Sequence, residues 1–131
     1  MSADDIHWGV AGVGRHGNIS AELDEPLGGS GSWEFLLDGP RWRFRIAVPG
    51  PESIRSLLAF VREHSTRPGH ERHQIVRTDE FEIEIAKTSD LGVRFELTIH
   101  GRQFTAGGTI QDEDVASLLT ALEQVVEDLD T

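Results

Sequence analysis

GSWEFLLDGPRWRFRIAVPGPESIRSLLAFVREH, residues 31–64, is matched by VRFELTIHGRQFTAGGTIQDEDVASLLTALEQV, residues 93–125, and this match decides the fold. At a spacing of 62, Trp33, Glu34, Phe35, Leu37, Gly39 and Trp42 meet Phe95, Glu96, Leu97, Ile99, Gly101 and Phe104. One residue is skipped. At a spacing of 61, Glu52, Ile54, Ser56, Leu57, Leu58 and Val61 then meet Glu113, Val115, Ser117, Leu118, Leu119 and Leu122. Backward at the longer spacing, Ile19, Ala21 and Leu23 meet Phe81, Ile83 and Ile85. Self-similarity at a fixed spacing marks a repeated structural unit.

Each copy reads strand, strand, strand, helix. Ile19, Ala21 and Leu23 alternate with polar residues, as do Trp33, Phe35 and Leu37, and then Trp42, Phe44, Ile46 and Val48. Alternation with a period of two places each apolar set on one face of a strand. Asp38-Gly39 reads as a hairpin turn in which glycine supplies positive φ. Glu25 to Gly31 reads as a flexible connection, and Pro51 as a first-turn helix residue. Ile54, Leu57, Leu58 and Val61 then fall at helical spacing. In the second copy Phe81, Ile83 and Ile85 point inward, Ser89-Asp90 turns the chain, and Val115, Leu118, Leu119, Leu122, Val125, Val126 and Leu129 form a wide helical stripe. A further strand is expected at Ile6 to Ala11, with a counterpart near Gln74 to Thr78.

The expected fold is therefore α+β: a duplicated βββα unit forming a mostly antiparallel sheet of six to eight strands, with two helices packed on one face. The first unit spans about 18–64, the link 65–73 and the second unit 74–129, within one domain over 1–131. One copy alone cannot cover both its sheet and its helix, so the copies must shelter each other's apolar faces.

The chain has 131 residues, no cysteine and a net charge of −11. Lack of cysteine excludes disulfides and thiolate chemistry and fits a reducing cytoplasm. The N-terminus, Met1-Ser2-Ala3-Asp4-Asp5, lacks the apolar stretch of a signal peptide. No apolar run approaches the roughly 20 residues of a membrane span. The negative charge disfavours nucleic acid, whose phosphates repel it, and favours a basic protein partner. Eleven arginines against the single lysine, Lys87, hint at a GC-rich genome.

The face turned away from the helices carries an arginine ladder, Arg41, Arg43 and Arg45, and a glutamate ladder, Glu80, Glu82 and Glu84. Glu34, Arg94 and Glu96 adjoin them. These ladders read as cross-strand pairing on a solvated face or as a charged partner-binding face. The last helix and tail, from Asp112 on, add seven carboxylates and no Lys or Arg. Trp33 and Trp42 occupy the places of Phe95 and Phe104 and read as core. Trp8 has no counterpart and suits a sheet edge or an interface.

Motifs for chemistry are few. Gly12-Val13-Gly14-Arg15-His16-Gly17 has dinucleotide-site spacing, but a strand-like alternation follows where a helix is required, so a glycine-rich hairpin is expected. His64, His70 and His73 flank the link beside Glu63 and Glu71. They could ligate a metal, but without thiolates they read as loop histidines, and no metal or other cofactor is expected. There is no G-x-S-x-G elbow.

The stretches Trp33-Glu34-Phe35-Leu36-Leu37 and Arg41-Trp42-Arg43-Phe44-Arg45-Ile46, with the Ser-Leu-Leu helices at Ser56 and Ser117, resemble small immunity proteins of bacterial polymorphic toxin systems. The resemblance covers about residues 18 to 128. It implies a non-catalytic inhibitor that masks a toxin's active site, often with an acidic face. The expected function is thus a cytoplasmic protein-binding module, monomer or homodimer, that meets a basic partner. Two alternatives stand beside it. One is a small-ligand carrier or enzyme with His100, Arg102 or Glu96 around a pocket between sheet and helices. The other is a homo-oligomer joined through a sheet edge or the last helix.

Overall fold

The structure, a computed structural model, describes residues 8–27, 31–66, 69–88, 94–103 and 105–131. Four strands come first: β1 (Trp8–His16), β2 (Ile19–Pro26), β3 (Trp33–Asp38) and β4 (Arg43–Val48), followed by α1 (Glu52–His64). The order recurs with β5 (Glu71–Arg77), β6 (Phe81–Thr88), β7 (Arg94–Gly101), β8 (Thr105–Ile110) and α2 (Asp112–Leu129). The chain is α+β, and the unit that recurs is ββββα rather than βββα. The extra strand is β1 in the first half and β5 in the second. β1 runs on through the glycine-rich segment to His16 and turns at Gly17, which has φ of 58°. β5 begins at Glu71, within the stretch expected as link. Ile6, Ser89-Asp90 and Phe104 lie outside the described residues.

The expected single sheet is replaced by two four-stranded antiparallel sheets, each a simple meander, β1-β2-β3-β4 and β5-β6-β7-β8. The β1 edge is covered by α2: Val13 donates to Asp128 Oδ2 at 3.0 Å and Arg15 donates to Gln124 Oε1 at 2.8 Å. Covering an edge with a helix withdraws it from further pairing. β8 meets β4 face to face instead, where a Cβ on Gly108 would lie 2.8 Å from the buried Phe44 ring.

The helices are exchanged between the halves. α2 lies against β1 and β2 of the first sheet, and α1 meets β5 of the second. Close approach of α2 requires the glycines of the G-x-G segment. A Cβ at Gly12 would lie 2.7 Å from the Val125 carbonyl oxygen, and one at Gly14 only 1.9 Å from that of Ala121. The motif is thus a packing device between strand and helix, and neither glycine has positive φ. Each helix also carries a serine bonded to a histidine of the strand it meets: Ser117 Oγ lies 3.1 Å from His16 Nδ1 and Ser56 Oγ 2.7 Å from His73 Nε2.

One apolar core serves both halves. Phe35, Ile46, Val48, Ile54 and Leu57 of the first half meet Ile75, Ile83 and Leu97 of the second around a void of only about 10 Å³. Each fully buried Leu, Ile, Val or Phe contributes roughly 1.5–3 kcal/mol by transfer from water. Trp33 and Trp42 are half-buried and packed against this core. Gly39 differs from expectation. It lacks positive φ, and the connection is a four-residue loop, since Asp38 registers with Arg43. A Cβ on Gly39 would lie 2.5 Å from the Trp42 indole, so glycine is required there for the ring.

Candidate functional site

The outer face of the first sheet follows from register. β2 alternates buried Ile19, Ala21 and Leu23 with Ser20, Glu22 and Asp24, which therefore turn outward. Register aligns Val10, Asp24 and Glu34 in one row across β1 to β3, and Val13, Glu22, Leu36 and Arg45 in the next across all four strands. Val10 is 62% exposed, Val13 47% and Leu27, just beyond β2, 56%. Among the described residues these are the exposed large hydrophobic side chains; Val10 and Val13 share the outer face with Glu22 and Asp24, whereas Leu27 lies against Gly9 on the opposite face. Isolated exposed apolar residues are unremarkable, but a cluster rimmed by charge marks an interaction surface.

The arginine ladder is partly consumed within its own sheet. Arg43 Nε donates to Asp38 Oδ1 at 2.9 Å, and Arg45 Nε to Glu34 Oε1 at 2.8 Å. Glu22 and Asp24 form no salt bridge among the described residues. Instead they lie side by side and hydrogen-bond to each other. Burial, chiefly, and this bond to Glu22 push the Asp24 carboxyl from 3.8 up to about 6, while the Arg45 charge opposes the rise. Asp24 Oδ1 is buried with no hydrogen-bond partner among the described residues. An acceptor in that state gains from any incoming donor.

Two concavities adjoin this face. A groove of about 250 Å³ runs over Gly14 and Ala21 between Val13, Glu22, Leu36 and Asp38. A wider cleft of about 730 Å³ lies between the β3–β4 loop and the start of α2, with Asn18, Arg41, Trp42, Asp112, Glu113 and Asp114 in its walls. Asn18 and Pro40 of the cleft stand two residues from Ser20 and Asp38 of the groove, so the two open at the same end of the sheet. The acids here also start a helix, where negative charge is favourable, and Asp112 Oδ1 accepts the Glu113 N–H at 2.9 Å.

The structure therefore brings Arg43 and Arg45 to Asp38 and Glu34 and sets Arg41 in the cleft with Asp112, Glu113 and Asp114, while Glu22 and Asp24 of the same sheet were not singled out in the sequence. It does not bring the glutamate ladder to these arginines. Glu82 and Glu84 lie on β6 of the second sheet and pair with Arg77 at 3.5 Å and Arg72 at 3.1 Å on β5. Glu80 stands exposed in the turn before β6, its N–H bonded to Thr78 Oγ1. Trp8 opens β1 opposite Pro26, and its side chain lies outside the described set. His100, Arg102 and Glu96 are exposed, Arg102 Nη2 reaches the Asp79 carbonyl at 3.5 Å, and among the described residues the three do not surround a pocket. Among the described residues no three His, Asp or Glu side chains converge as a metal site, and no helix is long and apolar enough to cross a membrane.

Val10 and Val13 escaped sequence reading because they lie among glycines. The Glu22–Asp24 pair was legible only as polar alternation. Comparison with protein-family models, with curated proteins and with solved structures finds no match.

Proposed function

We propose that this protein is a non-catalytic binding module that docks a basic protein partner on the outer face of the first sheet and the adjoining cleft. The observation that supports it most is the gathering of exposed Val10 and Val13 beside Glu22 and Asp24, carboxylates with no salt bridge of their own among the described residues. Exposed apolar area supplies affinity, and uncompensated negative charge selects and steers a cationic partner. Half-buried Trp42 and exposed Arg41 in the cleft are residue types that dominate binding energy at interfaces. The likeness to toxin-immunity proteins points to masking of a toxin as the biological role. The recurrence of ββββα, with helices exchanged between halves, fits descent from a tandem copy. The Ser–His pairs fit a structural role, because one occurs at each helix–strand contact.

Pull-down from the native host with mass spectrometry tests the reading, using wild type, Val13→Asp/Glu22→Arg and Glu82→Arg. The expected partner is basic. It is lost with the first variant, kept with the second, and weakened as ionic strength rises. A partner retained by Val13→Asp/Glu22→Arg, or bound independently of salt, would overturn it.

A further inference from the structure

Besides β1, the strands β4, β5 and β8 end their sheets. Bonding direction alternates along an antiparallel strand, so one bond fixes the rest. The Thr78 N–H bonds the Phe81 carbonyl at 2.9 Å. Phe81, Ile83 and Ile85 therefore bond to β5, and Glu82, Glu84 and Ala86 to β7. Carried across β7, the register makes Ala106, Gly108 and Ile110 bond inward to that strand. Thr105, Gly107 and Thr109 turn their N–H and C=O groups outward. Among the described residues no hydrogen bond reaches those outward groups.

The same alternation turns Arg43 and Arg45 outward on β4, where the Gly39 N–H bonds the Trp42 carbonyl, and Arg72, Gln74 and Arg77 outward on β5. Charged side chains along an edge discourage pairing with another chain, and a helix laid over an edge prevents it. β8 has neither protection. No residue from 103 to 111 is charged, Thr105, Ala106 and Gly107 are exposed, and no helix lies along the strand.

We propose that β8 pairs with β8 of a second copy, antiparallel about a two-fold axis at Gly107, so that the two second sheets join edge to edge. The strand is complementary to itself in this register. Thr105 stands opposite Thr109 of the second copy and Thr109 opposite its Thr105, a favourable cross-strand pair made twice. Gly107 meets its own equivalent on the axis, where no side chain keeps the backbones apart. Continued beyond the strand, the register carries Asp112, the first residue of α2, toward Arg102 of the second copy, and both side chains are exposed. Half-buried Trp42 stands beside Gly108, one residue from the axis, and adds apolar surface for the second copy to cover. The contact uses none of Val10, Val13, Glu22 and Asp24, so it is separate from the docking face on the first sheet.

Sedimentation velocity of the full chain between about 1 and 500 μM tests the proposal. A contact confined to one strand and its flanks is a small interface, and the expected Kd for the dimer is about 10–100 μM. Thr105→Pro removes an outward N–H and no bond of the β7–β8 ladder, a place where an edge strand tolerates proline. It is expected to weaken association about tenfold or more and to melt within about 2 °C of wild type. Arg102→Asp and Asp112→Arg should each weaken association about threefold, as exposed ion pairs do, and the double variant should recover most of the loss. Val13→Asp/Glu22→Arg should associate like wild type. If it does not, the first sheet takes part and the proposal falls. A chain still monomeric at about 500 μM, well above the expected Kd, leaves the edge to a strand of another protein and overturns it. A Thr105→Pro variant that associates like wild type places the contact elsewhere, as through α2, and overturns it equally. Should Thr105→Pro unfold, the charge exchange decides: a double variant no tighter than its single parents refutes the two-fold register.

Discussion

Replacing Gly14 by alanine tests the contact on which the exchanged helices depend. The added Cβ would stand 1.9 Å from the Ala121 carbonyl oxygen, where real Cβ atoms stay beyond 3.0 Å, so α2 must retreat by at least 1.1 Å. That retreat would stretch the Val13–Asp128 bond from 3.0 Å and the Arg15–Gln124 bond from 2.8 Å beyond hydrogen-bonding range, which ends near 3.2 Å. Two lost bonds remove about 1 kcal/mol each, and overpacking adds about 1–3 kcal/mol. The sum, about 3–5 kcal/mol, is a large share of the 5–15 kcal/mol typical of a whole domain. Unfolding entropy of about 2.1 cal/mol/K per residue then lowers the melting temperature by about 10–18 °C. Gly50→Ala is the control, since a Cβ there meets nothing within 4 Å. It should melt near wild type or slightly above, through the stiffer unfolded chain. Differential scanning calorimetry reads both. If the G-x-G segment were merely a flexible hairpin, Gly14→Ala would behave like Gly50→Ala. A Gly14→Ala variant melting within about 2 °C of wild type, well short of that shift, refutes the packing role.

Two further expectations concern pH. Asp24 has its folded-state pKa raised from 3.8 to about 6 by burial and the Glu22 bond. Its contribution to stability is therefore complete below pH 3.8 and is lost as pH rises through about 6. Asp24→Asn should melt higher than wild type above pH 6, with the advantage vanishing toward pH 4, and carbon-detected NMR should place the Asp24 midpoint near 6. A midpoint in the ordinary carboxylate range would contradict the environment described. Asp130 behaves in the opposite sense. The hydrogen bond from Arg55, 2.6 Å long and joining α1 to the end of α2, holds its pKa below 3.8. Its contribution is present above 3.8 and disappears as pH falls through the depressed value. Asp130→Asn should lower the urea midpoint at pH 7 and leave it unchanged at the acid extreme, and equal losses at both pH values would show that packing, not charge, is involved.

The recurring pattern in the sequence located both helices and the strands β2 to β4 and β6 to β8, because apolar periodicity is a local property; β1, expected to end at Ala11, runs on to His16, and β5, expected from Gln74, begins at Glu71. Phe35 and Leu37 must share a face whatever they pack against, and so must Leu118 and Leu122. The same logic separated Arg43 and Arg45 from Phe44 and Ile46. What a local pattern does not encode is which surface each stripe meets. The exchange of α1 and α2 between halves, and with it the split into two sheets, rests on close approaches between residues more than a hundred positions apart, such as Gly14 with Ala121. Glycine advertises conformational freedom in a sequence. Here its use is the absence of a Cβ, visible only once the helix is in place.

The candidate sites show the same division. The acidic excess and the arginine ladder could be read directly, because charge is counted residue by residue. That Arg43 and Arg45 are spent on Asp38 and Glu34 while Glu22 and Asp24 keep no salt bridge among the described residues depends on strand register, a tertiary fact. Lys87 is the clearest case: the inward series read from the chain stopped at Ile85, and that Lys87 follows it into the interior, 1% exposed, is a tertiary fact.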